Sequence, residues 1–152
     1  MNIVLRYLDK KSATVRAIED FRSMQFILDN TDDEIKSVYD RMSGLENSSP
    51  NGMPKSHNPS SSDMKMVSGI ETLDLLRERY QQAKEYMAWF YPAWLQLSED
   101  DQYILKTFYS NEDTRTTAVD EISNHFSIER SSVYNKKNRA LMRLATLLFG
   151  IC

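Results

Sequence analysis

The chain has 152 residues, 41% of them apolar, with 19 Lys and Arg against 22 Asp and Glu for a net charge of -3. That length suits one domain or two small ones, and the apolar fraction allows a modest core. The one cysteine, Cys152, excludes an intrachain disulfide. No apolar run approaches the roughly twenty residues of a membrane helix, and MNIVLRYLDKK has too short an apolar core for a secretory signal, so a cytoplasmic protein is expected.

The N-terminal half reads as helices. Leu5 to Leu28 is expected to form the first, with Ala17, Ile18, Phe21, Met24 and Leu28 on its apolar side. Thr31-Asp32-Asp33-Glu34 has the pattern of a capping box and predicts a new, short helix carrying Ile35, Val38, Tyr39 and Met42 and ending near Gly44. Glu46 to Asp63 is rich in Ser, Asn, Pro and Gly and reads as a polar linker, with Ser62-Asp63 capping the next helix. Met64 to Tyr91 predicts that helix, a long one with the stripe Val67, Ile70, Leu73, Leu76, Tyr80, Ala83, Met87 and Phe90, ended or kinked by Pro92. Such length favours a coiled-coil-like hairpin with the N-terminal helices. The aromatic group Trp89, Phe90, Tyr91 and Trp94 reads first as an anchor between the long helix and the C-terminal module.

The C-terminal third predicts three shorter helices. Ser98 caps one that opens with Glu99, Asp100 and Asp101 and presents Ile104, Leu105 and Phe108 to a core. Tyr109 to Thr116 reads as a loop, and Thr117 as the cap of a helix with Ala118, Ile122 and Phe126 inside. Ser127-Ile128-Glu129 is the turn before a last helix, Arg130 to Phe149. No strand pattern competes anywhere, so the fold class is all-α, divided into a hairpin over 1–94, with its polar linker near 46–63, and a C-terminal domain over 95–152.

The stretch from Ile122 to Leu144 carries the functional signal. Ser131, Ser132, Tyr134, Asn135 and Asn138 are hydrogen-bonding groups, Arg130, Lys136, Lys137, Arg139 and Arg143 are cations, and no acidic residue comes after Glu129. Val133, Ala140, Leu141 and Leu144 supply an apolar side. A helix polar and basic on one side and apolar on the other is what a helix-turn-helix recognition helix requires. The acidic body, pI about 5.4, opposes this, yet electrostatics stay local to about 8–10 Å at physiological salt, so a basic tip can still hold phosphates.

The unit from Ser98 to Leu144 resembles region 4 of sigma-70 family factors. The matching residues are Leu97-Ser98-Glu99 and Ile104-Leu105, then Thr117 and Asp120-Glu121-Ile122, then Ile128, Val133, Ala140, Leu141 and Leu144. Ser123 stands at the family's small residue, and Ser127 where its turn carries glycine. Nothing N-terminal resembles region 2. The whole layout is similar to small phage and prophage late-gene transcriptional regulators of Gram-positive bacteria, whose linker carries an element like Gly52-Met53-Pro54. By position, the resemblance places base contacts on Ser131, Ser132, Tyr134 and Asn135, and lacks the usual guanine-contacting arginine, which Arg130 or Arg139 would supply. Lys136, Lys137 and Arg143 are expected to grip phosphates, and Thr116 and Thr117 to offer a helix N-terminus to another. The DNA-binding set is therefore Arg130, Ser131, Ser132, Tyr134, Asn135, Lys137, Asn138, Arg139 and Thr117.

The implied partners are double-stranded DNA and, through the N-terminal helices, RNA polymerase or a second copy in a homodimer, inside a bacterial host. The alternatives are a small terminase-like DNA-packaging subunit and a protein-interaction module without DNA. An enzyme is the least expected class. His57, His125 and Cys152 have no metal-ligand spacing, the acidic triplets read as helix starts, and no phosphate-cradling glycine loop or nucleophile-base pair stands out, so no cofactor is expected.

Overall fold

The apolar residues on either side of the polar linker recur at helical spacing, and the computed structural model folds these stretches into α1 (Lys10–Gly44), α2 (Pro59–Gln96), α3 (Glu99–Ser110), α4 (Arg115–Phe126) and α5 (Arg130–Phe149). The structure describes residues 7–44, 59–110 and 114–151, without the side chains of 59–62 and 110. No strand occurs among the described residues, in keeping with an all-α chain. The start expected at Leu5, most of the polar linker and Gly52-Met53-Pro54 lie outside them.

Asp9 opens α1. Its carboxylate accepts from the Ser12 N–H at 3.1 Å and the Ser12 hydroxyl at 2.9 Å. Those two bonds hold the Asp9 carboxyl below its ordinary range. The helix then runs straight through Thr31, so the capping box does not form. Thr31 is fully buried, and its hydroxyl donates to the Ile27 carbonyl at 2.5 Å, a bond that belongs to a helix interior rather than a cap. Thr14 is buried by the same device, donating to Lys10 O at 2.6 Å. Tertiary packing explains the continuity. Ile35, Val38 and Met42 lie against Leu73 and Leu76, and a break at Thr31 would turn that apolar side away. Glu34, expected inside the box, pairs with Arg79 at 2.7 Å instead.

α2 also exceeds its expected limits. It begins at Pro59, which suits a first helical position, so Ser62-Asp63 lie inside it rather than capping it. It also continues past Pro92 to Gln96. Proline removes the N–H that the Ala88 carbonyl would bind, a cost of about 3 kcal/mol in a helix interior. Ala88 and Pro92 are both exposed, which leaves that carbonyl's side of the helix open to solvent, while Phe90, Ala93 and Leu97 on either side of the proline are buried and hold the helix on course. The Leu97 N–H donates to Trp94 O at 3.1 Å and closes the end.

The chain divides into two compact units, Met1–Met24 with Tyr86–Cys152, and Gln25–Glu85. This division differs from the 94/95 boundary read from the sequence, because the first turns of α1 and the last turns of α2 join the C-terminal helices. In the Gln25–Glu85 unit the two helical segments run antiparallel: Glu34 meets Arg79, and Gly69 meets Met42. A Cβ on Gly69 would fall 2.8 Å from Met42 Sδ, so the glycine permits a close approach. Val67 and Ile70, at the head of the expected stripe, are exposed.

The larger unit has two cores. In one, Ala17 and Ile18 of α1 and Phe90, Ala93 and Leu97 pack with Leu105, Ala140, Leu141 and Leu144. Aromatic contacts tie it together, with Phe90 against Phe21, Tyr86 and Trp94, and Trp89 edge-on to Phe149. The Tyr86 hydroxyl donates to the Ala17 carbonyl. In the other core, Ile104, Val119, Ile122 and Val133 join α3, α4 and α5, with Phe108, Phe126 and Ile128 at its edge.

Candidate nucleic-acid interface

The site is built on α5, and α5 is positioned by the turn before it. Ser127 adopts the left-handed conformation, φ 53° and ψ 49°, that the sequence comparison with a glycine implied. Ser123 locks the turn: its carbonyl accepts the Ser127 N–H and, at 3.1 Å, the Ile128 N–H, while its hydroxyl donates to Ile128 O at 2.5 Å. A larger side chain at 123 would occupy the space where the chain doubles back. Thr117, by contrast, does not cap α4. Thr114 is the N-cap residue, with extended backbone, and α4 starts at Arg115, so Thr117 sits inside the first turn with its hydroxyl 3.0 Å from that of Thr114. It remains exposed near the helix N-terminus.

Val133, Ala140, Leu141 and Leu144 are fully buried. Helical geometry then turns Ser131, Asn135, Arg139 and Met142 outward as one line, at i, i+4, i+8 and i+11. All four are exposed, with Lys136 beside them, also exposed. Ser132 and Asn138 are half-buried, and the Asn138 Oδ1 is buried without a hydrogen-bond partner among the described residues. Tyr134 flanks the line, 44% exposed, its ring edge-on to Phe108.

The cations separate into different surroundings. Lys137 Nζ lies 4.7 Å from the Phe108 ring centre, 5.8 Å from Tyr134 and 6.0 Å from Tyr109, a cation–π clamp reached from three rings. Burial pulls its pKa down, and repulsion from Lys11 and Arg115 adds to this. Lys136 lies 5.3 Å over Phe126. Arg143, expected at phosphates, is held by Asp101 at 2.6 Å, and Asp101 is buried. Arg130 donates through Nε at 3.0 Å and Nη2 at 2.6 Å to the same oxygen of Asp120. Arg139 has no bonded partner among the described residues.

Sequence reasoning missed Asp120 and the rings of Phe108 and Tyr109 as parts of this surface. A periodic pattern marks a side of one helix and carries no signal for which side chains from other helices arrive there. His125 stacks on Tyr103 with ring centres 4.2 Å apart and takes no part in the site. No family model, curated protein or solved structure matches this chain. No helix among the described residues is long and apolar enough to cross a membrane.

Proposed function

We propose that α4, the Ser127 turn and α5 act as a region-4-like helix-turn-helix in a small DNA-binding transcriptional regulator of phage type. One observation carries this reading: the outward line Ser131, Asn135, Arg139 is exposed, uninterrupted by any acidic residue, and backed by a fully buried opposite side. Asn pairs bidentately with adenine, Arg with guanine, and Ser with either kind of edge, so the line has the donors and acceptors of a major-groove reader. Lys136 and Lys137 would hold phosphates and set the register. The hairpin formed by α1 and α2 would serve a second subunit or RNA polymerase. Exposed Met64, Met66, Val67 and Ile70 supply apolar area for such a contact. A single module makes few base contacts, so a dimer reading two half-sites fits useful specificity.

The test is selection of duplexes from a random-sequence pool, then anisotropy titration of the best one over a range of salt. Wild-type affinity is expected to fall steeply with salt, by a log–log slope of about -0.9 per phosphate held. Asn135→Ala with Arg139→Ala should weaken the selected duplex by roughly tenfold or more, since one good base contact contributes about 1–3 kcal/mol. Unchanged affinity would refute the reading face. Absence of any salt-sensitive DNA binding would favour the protein-interaction module, which the net charge of -3 supports. A many-subunit ring on sizing would favour the packaging subunit.

A further inference from the structure

We infer that Asp120 is a positioning residue that sets Arg130 to read a guanine, an inference that rests on the DNA-binding role proposed above. Arg130 is the first residue of α5 and lies where that helix would enter a groove. Its guanidinium is a planar fork with five N–H donors. Asp120 takes the Nε/Nη2 edge, at 3.0 and 2.6 Å, and does so through a single oxygen. The other edge, Nη1 with the second Nη2 proton, has no partner among the described residues. Two parallel donors on that edge match O6 and N7 of guanine.

Stability does not explain the pair. Its side chains are 59% and 55% exposed, and exposed pairs of this kind stabilise little. α4 and α5 are already locked by Ile122 on Val133 and by the Ser123 bonds to the turn. What the pair does achieve is to fix a long, flexible side chain before binding, which lessens the ordering cost at the interface. The Asp120 carboxylate also repels phosphate, which disfavours the competing use of Arg130 as a backbone grip.

The experiment compares wild type, Arg130→Ala, Asp120→Ala and Asp120→Asn on the selected duplex and on duplexes altered one base pair at a time. Wild type is expected to prefer G·C at one position by about tenfold or more, and Arg130→Ala to lose that preference there alone. Asp120→Ala should reduce the same preference several-fold while binding non-specific DNA as well as wild type or better, having lost a negative charge. Asp120→Asn, which keeps an acceptor oxygen, should fall between. The double variant should lose no more than Arg130→Ala. Thermal unfolding of each variant separates these effects from misfolding. Full preference retained in both Asp120 variants overturns the inference, as does an equal loss of affinity for all sequences. DNA binding with no guanine preference dependent on Arg130 defeats this inference alone, whereas no DNA binding by wild type defeats the parent reading with it.

Discussion

Replacing Arg143 by alanine distinguishes a structural cation from a DNA contact on the same helix. The Arg143 Nη1 lies 2.6 Å from Asp101 Oδ2, and the two side chains are 59% and 10% exposed. A fully exposed pair contributes about 0–1 kcal/mol, whereas removing one partner of a fully buried pair costs about 3–5 kcal/mol. This pair lies between those limits. Asp101 is kept from water by the fold, but the vacated guanidinium position opens to solvent, so water can partly replace the lost donor. A charged hydrogen bond of roughly 1.5–3 kcal/mol, discounted for that exposure, leaves a cost of about 1–2 kcal/mol. For a chain of this size that lowers the thermal midpoint by about 2–8 °C. Circular dichroism melts of Arg143→Ala, Asp101→Ala and the double variant measure it, with a coupling of about 1 kcal/mol expected between the two sites. The salt slope of DNA binding should stay at the wild-type value in Arg143→Ala. An unchanged melt together with a slope reduced by about one ion would refute the reasoning and return Arg143 to the phosphates.

Two further outcomes test the fold around the site. Ser127→Gly should stabilise the protein by about 0.5–1 kcal/mol in urea titration, because glycine carries no penalty at φ 53°, whereas Ser127→Val should destabilise it by more. Alkaline unfolding should be governed by Tyr86. Burial first and the Asp20 carboxylate second push its hydroxyl well above the ordinary tyrosine range, so the folded state favours the neutral ring. The resulting stabilisation is complete below the unfolded-state pKa of about 10 and is lost as pH rises beyond it. Tyr109, raised by burial, acts in the same direction. Tyr86→Phe should be less stable than wild type at pH 8, lacking the bond to Ala17, and lose less between pH 8 and 11. An equal loss in both proteins would show that Tyr86 is not the group being titrated.

Much of the larger unit was legible residue by residue. The limits of α5, the Ser98 cap (its Oγ accepts the Asp101 N–H at 3.2 Å) and the buried set Ile104, Leu105, Ile122, Val133, Ala140, Leu141 and Leu144 all follow from local periodicity and turn chemistry. Punctuation was less reliable in the long helices. Thr31 has the chemistry of a cap and Pro92 that of a stop, yet both are crossed, because Val38 on Leu73 and Leu76 and Phe90 in its aromatic cluster reward continuity more than the local signal rewards a break. The N-cap position lies at Thr114, three residues before the cap expected at Thr117, and the Thr114 hydroxyl makes no capping bond but lies 3.0 Å from that of Thr117.

The sequence by itself determined the all-helical class, the left-handed serine turn and the two-sided character of α5, since each depends on residues within a few positions of one another. Only the tertiary structure decided how the cations of that helix are used. Arg143 goes to Asp101, Lys137 to the rings of Phe108, Tyr109 and Tyr134, Arg130 to Asp120, and Arg139 is left facing outward. The sequence reading sent Arg130 or Arg139 to guanine and Lys137 and Arg143 to phosphates, and gave none of the four a partner within the protein. What separates them is the side chains that α3 and α4 bring beside each, and charge interactions fall off too quickly with distance for any of them to be assigned before those helices are packed.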